Sequence, residues 1–253
     1  MKRLWFGMAV GCFFAVVAGY VHAEDLLDSA IKKVAPNLPA SKGEPATSGR
    51  GAGLNEGTIA SGLKEALSVG TKKAVALVSK VDGYFGNEAI KILLPEKIRG
   101  VGEMAGKLGF QKQVDDFILA MNRAAEKAAP KAASCFADAI KQMTIEDARR
   151  ILSGGNTAAT EYFKSKTSSK LYGEFKPIIS SSMQQVGVAR AYKNLMGKVP
   201  AAPFLKPESV DLDDYVTTKA LDGLFYMVGQ EEQKIRENPA ARTTDLLKKV
   251  FSR

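Results

Sequence analysis

From Gly57 onward the apolar positions recur at helical spacing. Leu63, Leu67, Gly70, Ala74, Leu77 and Val81 step by four, three, four, three and four, a heptad-like seam that predicts one long helix. Gly70 and Ala74 at its centre leave room for a second helix to approach closely. Asp82-Gly83 is a turn signal and should end the helix. The stretch 87–94 carries Ile90, Ile92, Leu93 and Leu94 and is the one run that reads as extended, closed by Pro95. It allows at most one short strand or hairpin, near residues 88–94.

Beyond it, prolines and glycines punctuate further helices. Pro130 separates a helix at about 112–129 from one at about 131–143. Thr144-Ile-Glu-Asp147 resembles a capping box with Asp in the place of the usual Glu or Gln, opening a helix to Leu152. Gly154-Gly155 stops that helix, and Asn156 or Thr157 can cap the next. Helical patterning returns through Tyr172, over 178–185 and over 188–196. Pro200, Pro203 and Pro207 mark a loop. Asp211 can cap the longest late helix, about 212–237, with Val216, Ala220, Leu221, Leu224, Phe225 and Val228 on its buried face. A last amphipathic stretch carries Leu246, Leu247, Val250 and Phe251 after Pro239. Strand-type alternation is nearly absent, so the class expected is all-α: a compact orthogonal array of about eight to ten helices.

The first residues follow a different pattern. Lys2 and Arg3 precede an apolar run to about Tyr20, and Val21-His22-Ala23 suits signal-peptidase cleavage after Ala23. The expected organisation is a signal peptide over 1–23, a short amphipathic helix over 24–35, a Gly/Pro/Ser-rich flexible linker over 36–56 and one helical domain over 57–253. Export to the periplasm is the implied location. An uncleaved membrane anchor is the alternative for the apolar run.

Cleavage changes the available chemistry. The only His (His22), the only Trp (Trp5) and Cys12 all leave with the signal, so the mature chain keeps one cysteine, Cys135. Histidine general bases, His-containing triads and nearly every zinc or copper site are thereby excluded, and no cofactor or internal disulfide is expected. Removing 23 of 253 residues, Lys2 and Arg3 among them, leaves 230 and lowers the net charge from +9 to +7. That excess suits an anionic membrane surface or acidic polymer. Nucleic acid is not expected as a partner of an exported chain that lacks a basic-aromatic motif.

Two local constellations remain. Met121-Asn-Arg-Ala-Ala-Glu126 places Asn122 and Glu126 on one helix face with Arg123 beside them, and Asp138 and Asp147 lie on following helices. The set reads as a core network or surface pairs, as a buried polar ligand site, or as a carboxylate pair for glycoside cleavage with Glu126, Asp138 or Asp147 as acid and base. The second constellation runs from Gly154 and Gly155 through Thr157 and Thr160 to Tyr162. It could present free backbone N–H groups to an anion, or simply be a turn between helices. Ser61-Gly-Leu-Lys64 matches an S-x-x-K spelling without the companion motifs, and Asp211, Asp213 and Asp214 miss calcium-loop spacing.

Several longer words carry a resemblance: Leu93-Leu-Pro-Glu96, Met121-Asn-Arg-Ala-Ala-Glu126, Ala139-Ile-Lys-Gln-Met-Thr144, Asp147-Ala-Arg-Arg-Ile-Leu152, Gly154-Gly-Asn-Thr-Ala-Ala-Thr160, Tyr215-Val-Thr-Thr-Lys-Ala-Leu-Asp-Gly-Leu-Phe225 and Asp245-Leu-Leu-Lys-Lys-Val-Phe251. Together, over about 57–251, they resemble bacterial domain-of-unknown-function family 4197. The resemblance implies an exported helical protein of the Gram-negative envelope and brings no catalytic residue with it. The function expected is therefore non-enzymatic binding of a hydrophobic ligand, such as a lipid acyl chain, or of an envelope partner. A carboxylate-based hydrolase of envelope polysaccharide and a structural scaffold are the alternatives.

Overall fold

A computed structural model describes residues 55–185 and 210–237. Among them lie seven α-helices and no strand: α1 (Glu56–Ser79), α2 (Glu96–Ala105), α3 (Gln111–Ala128), α4 (Ala132–Gln142), α5 (Ile145–Ser153), α6 (Ala158–Gln185) and α7 (Leu212–Glu237). The class is all-α. A π-helical turn, Gly106–Phe110, joins α2 to α3, and a 3-10 turn, Ala129–Lys131, joins α3 to α4. The described helices fall short of the eight to ten expected. The signal segment, the helix at 24–35, nearly all the linker and the helices at 188–196 and 246–251 lie outside the described residues. All described residues belong to one compact unit.

Local chemistry sets the boundaries. Asn55 caps α1, its side chain accepting from Thr58 N–H, so the helix starts just inside the segment expected to be linker. The seam on α1 is buried at Leu63, Leu67, Gly70 and Ala74, but Val81 is 72% exposed. The reason is that α1 ends at Ser79: beyond that point the 3.6-residue period no longer aims side chains inward, and Val75 and Val78 take the core positions. Asp82 then takes a left-handed backbone (φ 64°), which Asp tolerates. Gly83 follows because a Cβ there would lie 2.5 Å from the Leu77 carbonyl. The Thr144–Asp147 box forms in both directions: Asp147 N–H donates to Thr144 Oγ1, and Thr144 N–H donates to the Asp147 carboxylate. α6 is one helix across Tyr172 and Ile178, with Pro177 inside it. α2 and its π turn were not among the expected elements.

The core is built by close approach. Ala124, Ala125, Ala128, Ala129 and Ala132 have essentially no exposure, so neighbouring backbones pack against the end of α3. Larger side chains fill the middle: Phe136 meets Phe163 and Phe225 edge to face at 5.1 and 6.2 Å. Each such buried ring contributes roughly 1.5–3 kcal/mol of transfer free energy. At Gly70 the expected close helix approach occurs, to Ile235 and Glu231 of α7.

Candidate functional site

The segment between α1 and α2 sits on α7 through Tyr84. Its ring is fully buried, and its hydroxyl donates to the Ala220 carbonyl at 2.6 Å. Burial, with Glu126 nearby, pushes that hydroxyl far above the ordinary tyrosine range, so it stays a donor. Gly223 of α7 makes room: a Cβ there would fall 2.7 Å from the Tyr84 ring and 3.1 Å from Ile90.

Asn122, Arg123 and Glu126 come together under this segment. The Glu126 carboxylate is buried; one oxygen accepts from the N–H groups of Tyr84 and Phe85, at 3.1 and 3.2 Å. The other takes Arg123 at 2.6 Å, and Arg123 also reaches Asp82 at 2.7 Å. The Glu126 bond is the largest cause holding the Arg123 pKa above its usual value. Asn122, with no exposure, accepts from Ile92 N–H at 2.9 Å and donates to the Ile92 carbonyl at 2.8 Å. Its amide meets Ile92 as a residue of a neighbouring strand would. That explains why 88–94 is not a strand: its inner edge pairs with one side chain.

Asp138 and Asp147 do not join this network. Asp138 pairs with Lys170 at 2.8 Å at the surface, which lowers its pKa. Asp147 is committed to its capping box, and the bond from Thr144 N–H is the first cause of its lowered pKa.

The second constellation already holds an anion, supplied by the chain itself. The buried Glu232 carboxylate accepts from Ala159 N–H, Thr160 N–H and the Thr160 hydroxyl, at 2.8–2.9 Å. Arg236 covers it from the next turn at 2.9 Å and also donates to the Ile151 carbonyl. The N-terminus of α6 is thus tied to α7. Tyr162 lies one turn on and donates to the Ala139 carbonyl. Gly154, Gly155 and Thr157 are exposed in the turn.

Open space lies elsewhere. A groove of about 880 Å³ runs between residues 89–97 and α7, with Tyr215, Lys219, Asp222 and Tyr226 on its far wall. Leu93 and Tyr226 on its sides are 50% and 47% exposed, while Ile90 and Ile92 are buried beneath. Tyr215 spans it, donating to the Leu93 carbonyl at 3.0 Å. A smaller recess of about 450 Å³ opens between Ser168, Tyr172 and Leu221. No residue of the two candidate constellations, nor Asp138 or Asp147, lines either space. The exposed Leu93 beside Pro95 was the one sequence signal for the groove. Among the described residues no group of three His, Cys, Asp or Glu side chains could hold a metal ion, and no helix is long and apolar enough to cross a membrane.

The family model described as protein of unknown function (DUF4197) matches residues 53–252. The chain belongs to that family. The match takes in every described helix, and so both polar networks and the groove. No curated protein and no solved structure matches the chain.

Proposed function

We propose that the chain is an exported envelope protein, cut after Ala23, that acts by binding and not by catalysis. The groove between 89–97 and α7 is its binding surface, taking an apolar ligand or a segment of an envelope partner. The observation that carries this reading is saturation. Glu126 and Glu232 spend their acceptor positions on backbone N–H groups and arginines, whereas Leu93 and Tyr226 stand half-exposed on a large groove. A general acid or base must reach a substrate proton, and these carboxylates face inward onto partners. Exposed apolar side chains around a concave space are what a binding site presents.

Native mass spectrometry of the mature protein, taken from periplasm without detergent, tests the reading. It is expected to show a start at Glu24 and an additional bound mass, which Tyr226→Glu removes while the fold persists. A chain retained in the cytoplasm with its first 23 residues, or hydrolysis of envelope polysaccharide that Glu126→Gln abolishes without unfolding, would overturn it.

A further inference from the structure

We propose that the outer face of α1 docks on an anionic phospholipid bilayer, with Lys72, Lys73 and Lys80 on the headgroups and Val81 inserted between them. This surface lies apart from the groove, and its role does not depend on what the groove binds.

One side of α1 carries the buried seam, and the side away from it carries the lysines. Lys72 and Ala76 are exposed one turn apart, Lys73 is exposed beside them, and Lys80 is exposed at the C-cap. From Ala66 to Val81 the chain has three lysines and no acid; upstream, Glu65 is offset by Lys64. The 3-10 turn packed against α1 adds a further exposed lysine, Lys131, and no acid. The acids that border this region are matched from within. Asp82 takes Arg123 at 2.7 Å, Glu231 of α7 takes Lys234 at 2.6 Å, and Asp138, the one acid of α4, takes Lys170 at 2.8 Å. Lys72, Lys73 and Lys80 form no ion pair among the described residues, so the positive charge of this face is uncompensated. Lys80 alone would follow from the negative end of the helix dipole, but Lys72 and Lys73 lie two turns inside it.

The chemistry of the face selects a bilayer. Its cations are all lysines: compact, hydrated charges on long stems, suited to a diffuse sheet of headgroups. A phosphate held in fixed geometry calls instead for the planar fork of arginine, and a nucleic acid for aromatic rings on which bases stack; the 66–81 stretch has neither. The ridge of a helix is convex and meets a plane without a cleft. Val81, at 72%, is the most exposed large apolar side chain among the described residues. It sits in a turn fixed by the left-handed backbone of Asp82 and by the bond from Arg123 to the Asp82 carboxylate. A soluble polyanion gains nothing from such a side chain, whereas the headgroup–acyl boundary of a bilayer receives it.

Sedimentation of the whole mature chain with sucrose-loaded vesicles provides the test. Binding is expected to phosphatidylcholine vesicles that contain phosphatidylglycerol, and not to phosphatidylcholine alone. Each lysine neutralised should weaken it about fivefold, so Lys72→Gln, Lys73→Gln and Lys80→Gln together should weaken it roughly 100-fold. Lys107→Gln, Lys112→Gln and Lys166→Gln remove the same charge from other parts of the surface and should leave affinity within about threefold, because charges beyond a Debye length of the bilayer are screened. Val81→Ser should weaken binding about fivefold. All of these positions are exposed, so the variants are expected to melt with the parent. Where the α1 triple melts early, its three single substitutions give the answer. A chain indifferent to phosphatidylglycerol overturns the proposal, and so does a chain that loses as much affinity from the distant triple as from the α1 triple. If polyglutamate captures the chain, the α1 triple releases it and vesicles are not bound, the face takes an acidic polymer and the bilayer proposal falls. Tyr226→Glu, which empties the groove, should leave vesicle binding unchanged, so this proposal and the groove reading fail separately.

Discussion

Asn122 offers the sharpest test of how this fold holds its loop. The side chain is fully buried in an apolar helix face, and it is the sole hydrogen-bond partner of Ile92 N–H and the Ile92 carbonyl among the described residues. Asn122→Leu keeps a similar volume and removes both bonds. Ile92 is itself 1% exposed, so water cannot replace the amide without opening the segment. Each orphaned buried group costs about 1–3 kcal/mol, giving a loss of about 2–6 kcal/mol. For a protein of this size that is a fall in Tm of roughly 5–20 °C. Urea unfolding at pH 7 measures the first number and calorimetry the second. Asn122→Asp should be no better: one oxygen still accepts from Ile92, but the other then confronts the carbonyls of Ile92 and Ile118, to which the amide donates. Stability of Asn122→Leu within 1 kcal/mol of the parent would refute the reasoning, since the segment would then not depend on this amide.

Other substitutions separate the remaining contributions. Gly223→Ala should destabilise by about 1–3 kcal/mol despite the better helix propensity of Ala, because the Tyr84 ring 2.7 Å away is locked in the core; Gly173→Ala, with nothing within 4 Å, should stabilise by about 0.5–1 kcal/mol, both read by urea unfolding. Glu232→Ala should cost about 2–6 kcal/mol by the same assay, since it orphans the buried Ala159 and Thr160 N–H groups at the start of α6. Asp147→Ala should cost on the order of 1 kcal/mol at neutral pH. Because the folded state lowers the Asp147 pKa, that stability is complete above the ordinary Asp value and is lost as pH falls through the lower folded value, so parent and variant should converge once pH lies below it. Cys135 is buried and desolvation raises its pKa, so a disulfide-exchange reagent should label it only when the chain unfolds.

The helices were legible because their information is local. Period, caps and breakers placed α7 to the residue, and the Thr144–Asp147 box was written in four letters. The shared face of Asn122 and Glu126 was legible for the same reason, since a four-residue step fixes it. What those side chains hold was not, because Ile92 and Tyr84 lie 30 and 42 residues away. The ends of α1 and α6 misled in opposite directions. A seam that stays apolar through Val81 says nothing about where the backbone stops being helical, and α6 runs on through Pro177. The anion at the start of α6 was missed in part: the free N–H groups could be inferred, but the chain fills them with Glu232, 72 residues on from Thr160. The spacing of Glu232 and Arg236, one turn apart on a helix whose inward positions are otherwise mostly apolar, was the available clue.

Acids on alanine-rich helices invite an enzymatic reading, and counting their donors decides between structure and chemistry. Glu126 receives two backbone N–H groups and an arginine; Glu232 receives two backbone N–H groups, a hydroxyl and an arginine. A carboxyl group so engaged is held in place by its donors, and cannot reach a substrate without releasing the segment it anchors. Each therefore acts on backbone geometry: Glu126 with Asn122 presses the 80–95 segment against α3, and Glu232 fixes α6 against α7. The consequence reaches the groove. By pairing both backbone groups of Ile92, Asn122 fixes the stretch that carries Leu93, whose carbonyl accepts from Tyr215 on the far wall of the groove. The buried network thus sets, from beneath, the position of the groove's near wall. Asn122→Leu should accordingly lose ligand from the groove along with stability, whereas Glu232→Ala, which does not line the groove, should lose stability alone.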